Sequence, residues 1–348
     1  MKKDIQCAVL EKIKKPLKIK NLNFRNLKYG QVLVKIIFSG ICKTQLLEIA
    51  GARGKDRWLP HALGHEGSGI VEAVGKGVTK VKIGDEVILT WIKSLGIDSE
   101  SPKFYSENKI INAGKITTFS NYSVISENRI VKKPKNMPMD IAALFGCAIP
   151  TGMGMILNNQ VHDKKNVYAV VGVGGVGFFS ILALKAMGFK KIIAIDNSND
   201  KNRILKKMKI KHVLNNKKKD FNERINAISK NGVDVCYEAT GTIQGIELGF
   251  SILNKKKGKL IFASHPISGK KIKLDPHELI SGKTIAGTWG GNTNPDIDIK
   301  KYFKILDKSK INLKNFVKIY SFKDINKALI KTKENNIFRT IIKMSHLN

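Results

Sequence analysis

The chain has 348 residues, 42% of them hydrophobic and 26% charged, which suits a globular protein with room for two cores of ordinary size. Its 62 Lys and Arg against 28 Asp and Glu give a formal charge of +34, yet only seven of the basic residues are Arg and the lysines are scattered along the whole length. Sequence-specific DNA readers rely on Arg forks, and no helix-turn-helix pattern or RNA-binding signature is visible, so nucleic-acid binding is set aside as the main function and an AT-rich coding bias accounts for the lysines.

The N-terminal segment MKKDIQCAVLEKIKK has basic residues but no apolar core of a signal peptide. Short β-type runs follow at 31–40, 67–75 and 84–89, separated by Gly and Lys turns, and predict a barrel-like or sandwich β domain. Residues 91–120 are polar and weakly patterned and read as a surface excursion. From Val167 the rhythm changes: VYAVVGV is a buried strand, GVGFFSILALKAMGF a helix, KKIIAID a strand and NDKNRILKKM a helix. KHVLN, VDVCYEATG, KLIFAS and TIAGTW continue as strands, which predicts a parallel sheet covered on both faces. A helical segment at 299–308 and a last strand at 338–344 close the chain. The uncharged run from Val167 to Leu184 is long enough to be tested as a membrane span, but its glycines suit a phosphate loop better. No membrane association and a cytoplasmic location are expected.

Gly172, Gly174 and Gly177 form a G-x-G-x-x-G turn between a strand and a helix, with Gly175 and Val176 inside it. The glycines permit a tight turn, close approach of a pyrophosphate and close helix packing, while the free N–H groups of the helix face the phosphates. Asp196 ends the next strand, where its carboxylate would accept hydrogen bonds from a ribose and repel a 2′-phosphate. Asn197 and Ser198 follow it, and no Arg, so NAD(H) is expected over NADP(H).

The four cysteines, Cys7, Cys42, Cys147 and Cys236, are too irregularly spaced for a disulfide framework. Cys42, His65 and Cys147 are donor types suited to zinc with an open fourth position. Their spacing alone leaves open buried thiols and a satisfied core histidine. Cys7 and Cys236 lie in strand patterns and read as core thiols. His61 sits beside Pro60 and Gly64, which argue against helical ligand spacing. His162, His212, His265, His277 and His346 read as surface or packing residues.

Taken together, GICKTQ, ALGHEGSGIVEAVGKGVTKVKIGDEV, GCAIPTGMG, VVGVGGVG and FRTIIKM make the chain resemble the zinc-dependent medium-chain alcohol dehydrogenases over essentially its whole length, with GTWGGNTNPDIDI closest to the class III-like branch. The resemblance implies an α/β fold: a GroES-like β catalytic domain at 1–150, completed by 290–348, and a Rossmann doubly wound parallel-sheet domain at 151–289. It implies one catalytic Zn²⁺ per chain on Cys42, His65 and Cys147, with Glu66 close behind the metal and Thr44 passing the substrate proton. Lys201 would join Asp196 at the adenosine ribose. Lys43 and Arg339 would hold the pyrophosphate, and Thr151 and Val176 would pack near the nicotinamide. The expected reaction is hydride transfer between NAD(H) and a small alcohol, aldehyde or ketone, in a homodimer or homotetramer. The alternatives are a metal-free reductase of activated double bonds and a basic anion- or nucleic-acid-binding protein.

The chain departs from that family in three places. Leu47 stands where the proton relay usually continues through His. Gln45 replaces an Asp that orients the zinc His, and its amide oxygen is expected to accept that hydrogen bond. Residues 91–120 hold none of the four cysteines of a structural zinc.

Overall fold

The computed structural model describes residues 5–107, 109–159, 163–334 and 338–344, so His162 and His346 lie outside the described residues. Two β sheets and one parallel sheet account for the strands. A six-stranded parallel sheet runs in the spatial order His212–Leu214, Ile192–Ile195, Tyr168–Val171, Val235–Glu238, Lys259–Phe262, Thr284–Gly287. Its first three strands run outward in reverse chain order and the next three in chain order, the doubly wound pattern with its switch point between Tyr168–Val171 and Val235–Glu238. The central strands are buried on both faces and apolar except for Glu238 at the end of Val235–Glu238, as a sheet covered by helices requires.

A mixed sheet is built around the strand Gln31–Ile41, which pairs antiparallel with Glu66–Val74, Tyr122–Ser126 and the C-terminal Arg339–Lys343. Thr340 lies opposite Ile41, a register that brings Arg339 level with Cys42. A second sheet holds Lys18–Leu22, Ile5–Leu10, His61–Ala62, Lys109–Asn112 and Lys103–Ser106 in that order. The last two strands overturn the expected surface excursion at 91–120. Phe104 and Ile111 face each other across this hairpin and are buried at 2% and 1% exposure, so two well-placed apolar side chains suffice to dock an otherwise polar segment. Cys7 and Cys236 are free, buried thiols.

The helix Ala148–Leu157 packs on Gly175–Ala186, where the Ser180 hydroxyl donates to the Gly152 carbonyl at 2.9 Å. That contact couples Cys147, the residue just ahead of the first helix, to the glycine-rich turn that opens the second. Among the described residues no single helix is long and apolar enough to cross a membrane.

Candidate metal centre and dinucleotide cleft

Three remote segments deliver one donor each. Cys42 ends the strand Gln31–Ile41 and precedes the helix Lys43–Ile49. His65 directly precedes the strand Glu66–Val74, and Cys147 lies between a 3-10 turn and the helix Ala148–Leu157. Their ligand atoms all lie within 4.8 Å of one another. The Nε2 atom of His65 is buried with no hydrogen-bond partner, and such an orphaned donor atom is costly unless something binds it. Two sulfurs and an imidazole around one point form a donor set that fits zinc.

The electrostatics are those of a thiolate site. Cys147 donates a hydrogen bond that holds Cys42 well below the ordinary thiol range against its burial, while the same shared proton, together with burial, pushes Cys147 well above it. Burial pulls His65 down, but the nearby Cys42, followed by the charge of Glu66, outweighs it and leaves a raised value. Gln45 bridges the two outer donors: its amide oxygen accepts from the Cys42 backbone N–H at 2.8 Å, and its amide nitrogen faces Nδ1 of His65. The expectation that the amide oxygen faces the ring is therefore corrected, because that oxygen is already engaged by the helix cap.

Behind the donors, Glu66 is fully buried and ion-paired through Oε1 with Arg339, whose guanidinium is also buried. Burial pushes Glu66 up despite the guanidinium, and burial opposes the same pairing that leaves Arg339 raised. Among the described residues the second Glu66 oxygen has no hydrogen-bond partner. Thr44 stands 3.5 Å from the Cys42 sulfur, and both line a cavity of about 970 Å³.

The same cavity reaches the glycine-rich turn, and Gly174, Gly175, Val176, Thr151, Lys43 and Arg339 all line it. Gly172 has φ +85°, a left-handed conformation that other residues adopt at a cost. A side chain at Gly177 would fall onto the Gly172 carbonyl, whereas one at Gly174 would meet nothing within 4 Å. Tight packing beneath the turn and open space above it suit a pyrophosphate laid on the helix N-terminus. The Thr151 hydroxyl is buried and unpartnered, and the Lys43 ammonium reaches the Thr240 carbonyl at 2.8 Å. Asp196 accepts from the Val173 and Ser198 backbone N–H groups at 2.7 and 2.9 Å, with the Lys201 ammonium 3.9 Å away. Burial lowers Lys201, and Asp196 works against it. Neither of these two residues lines the cavity itself.

Glu238 ends the strand across the switch point and accepts from the Thr240 backbone and hydroxyl. Burial pushes its carboxyl from 4.5 up to about 7, with the Thr240 hydrogen bonds and the Lys43 charge opposing. The folded chain holds this proton more tightly than the unfolded chain. Its stabilising contribution is therefore full below pH 4.5 and is lost as pH rises through about 7. Glu238→Gln keeps an acceptor for Thr240 without the charge. It is expected to raise the melting temperature over wild type at pH 8 and to lose that advantage at pH 4.5, as measured by thermal denaturation.

Several cavity residues are not singled out by sequence reasoning. Trp91, Trp289 and Arg53 are among them, as is His265, which belongs to the cavity wall and not only to the surface. Trp91 follows a predicted strand end and Trp289 a run of small residues, but nothing in either pattern says that they meet. His61 instead pairs with Asp56 at 2.8 Å.

Comparison with known proteins agrees with this layout. The family profile described as alcohol dehydrogenase GroES-like domain matches residues 28–135, and that described as zinc-binding dehydrogenase matches residues 175–308. Alcohol dehydrogenase 1 of Pisum sativum is 27% identical over 98% of this chain and 97% of its own length. The crystal structure of benzyl alcohol dehydrogenase from Acinetobacter calcoaceticus superposes with a TM-score of 0.88 at 29% identity, covering 99% of this chain and 100% of that one. An alcohol dehydrogenase zinc-binding domain protein from Burkholderia ambifaria gives a TM-score of 0.90 at 25% identity, covering 99% and 100%. With the fold, the cleft and both family profiles in agreement, this chain belongs to the medium-chain, zinc-type alcohol dehydrogenase family of oxidoreductases.

Proposed function

We propose that the protein interconverts an alcohol and its carbonyl compound, using NAD(H) and one zinc ion held by Cys42, His65 and Cys147. The observation that carries this is the convergence of those three donors in the same cavity as the phosphate-binding turn. When bound, the zinc supplies a Lewis acid for the substrate oxygen and the nicotinamide a hydride acceptor.

The chain's own residues do the rest. The Thr44 hydroxyl, beside Cys42, takes the proton from the alcohol oxygen or returns it to the carbonyl oxygen. Leu47 lines the cavity where a titratable group would continue the relay, so the proton leaves Thr44 by way of the ribose or solvent. Lys43 and Arg339 offset the pyrophosphate charge. Asp196, with Lys201, receives the adenosine ribose, and Thr151 and Val176 fix the face that the nicotinamide presents. Glu66 holds Arg339 and keeps a negative charge near the three donors, where it assists exchange of groups at the open position.

The test pairs zinc quantification with NAD⁺ reduction over a broad alcohol panel that includes aromatic alcohols. One equivalent of zinc per chain is expected, with turnover lost on chelation and restored by added zinc. Full activity in verified zinc-free protein would defeat the assignment, and two equivalents of zinc would overturn the single-metal site.

A further inference from the structure

The outer end of the cavity carries chemistry that neither the metal nor the dinucleotide uses. From the centre outward its wall is a succession of rings in edge-to-face contact. Centroid separations are 6.5 Å from His65 to Trp91, 5.2 Å from Trp91 to Trp289, and 5.3 Å from Trp289 to His265. The outer members are open to solvent, Trp289 at 64% exposure. Flat apolar surface of this kind receives an aromatic or otherwise planar body.

At the mouth, two loops from opposite sides of the cleft meet: the Ser268 backbone N–H donates to the Ala52 carbonyl at 3.1 Å. The first loop carries His265 and the second Arg53, and both side chains line the cavity. The His265 ring is held below its ordinary value by partial burial and then by the nearby Arg53 charge, while Cys42 acts in the opposite sense. Arg53 spends one contact on Glu48, 2.7 Å away, which leaves most of its five N–H donors for other use. Among the described residues that line the cavity, none is Asp or Glu. The dehydrogenase reading assigns Lys43 and Arg339 to the phosphates of the dinucleotide and leaves Arg53 without an assignment.

Resting on the dehydrogenase reading, we infer that the substrate is a flat, apolar alcohol or aldehyde that carries a carboxylate at the end remote from the reacting carbon. Trp91 and Trp289 pack on its body, and Arg53 with His265 receives the carboxylate. A guanidinium fork matches a planar carboxylate in two parallel hydrogen bonds, and a neutral imidazole adds one more donor. Arg53 is thus a specificity-determining residue, chosen by the substrate's tail and not by its reacting group.

The experiment uses zinc-loaded full-length protein with 3- and 4-(hydroxymethyl)benzoate as probes and benzyl alcohol as the neutral counterpart. Binding is read from tryptophan fluorescence without NAD⁺, and turnover from NAD⁺ reduction. At least one carboxylate probe is expected to bind about tenfold tighter than benzyl alcohol and to show a correspondingly higher kcat/KM. Arg53→Gln collapses both ratios, Arg53→Lys retains part of them, and His265→Gln lowers them less than Arg53→Gln does. Equal or better use of benzyl alcohol by the wild type, or ratios that survive in Arg53→Gln, would overturn the assignment. If neutral alcohols are oxidised without any advantage from a carboxylate, the tail-recognition inference alone falls. If no alcohol on the panel of either kind is oxidised, the dehydrogenase reading falls with it.

Discussion

Cys147→Ala is expected to bind less than about 0.1 equivalent of zinc and to lose at least about a thousandfold in NAD⁺-dependent alcohol oxidation. Only two of the three protein donors remain in that variant. Two donors bind zinc far more weakly than three, since each supplies a full coordinate bond and the fold has already met the entropy of bringing them together. The substitution itself is small and sits ahead of a well-packed helix, so the metal-free melting temperature should move by only a few degrees. Metal analysis and steady-state kinetics on the same sample check this directly. A variant that keeps both its zinc and its turnover would show that Cys147 is a core thiol and nothing more.

The second large effect is on stability. Arg339→Met leaves Glu66 fully buried without its guanidinium, and breaking a buried ion pair from one side costs about 3–5 kcal/mol. In a chain of this size that corresponds to a fall in Tm of about 4–7 °C. The double variant Glu66→Gln/Arg339→Met should recover most of the loss, because no uncompensated charge remains. Both variants should bind NADH more weakly, since Arg339 also lies against Gly175 at the phosphate-binding turn. Thermal melts of the three proteins separate a buried-pair penalty from simple loss of packing: in the latter case the double variant would melt no higher than Arg339→Met.

The parallel sheet and its dinucleotide turn are legible in the sequence because they rest on local rules. A fully buried strand must be continuously apolar, and Gly172 and Gly177 announce a turn that tolerates no side chains. The three proposed zinc donors are different. Nothing in the spacing of Cys42, His65 and Cys147 reports that they meet, because the meeting is produced by the pairing of Gln31–Ile41 with Glu66–Val74 and by the packing of Ala148–Leu157 on Gly175–Ala186. A resemblance carried by several motifs was needed to put them together. The hairpin at Lys103–Ser106 and Lys109–Asn112 is invisible for a related reason: four-residue strands with a single buried side chain each are too short to show alternation. The aromatic wall and Arg53 also escape, since Trp91, Trp289 and His265 become neighbours only once both halves of the cleft are in place.

Gln45 carries one more implication. A carboxylate in its place could only take a proton from the imidazole, and so would serve a single state of the ring. A carboxamide has a donating end and an accepting end, and half a turn about its last bond exchanges them. The donating end faces the ring, so Nδ1 of His65 has a partner that it can serve as acceptor. Once a cation sits on the far nitrogen, the ring's remaining N–H needs an acceptor, and the amide oxygen can serve it only by giving up the Cys42 N–H. Gln45 thus ties the imidazole to the start of the helix Lys43–Ile49, so a change at the ring is felt at that helix N-terminus.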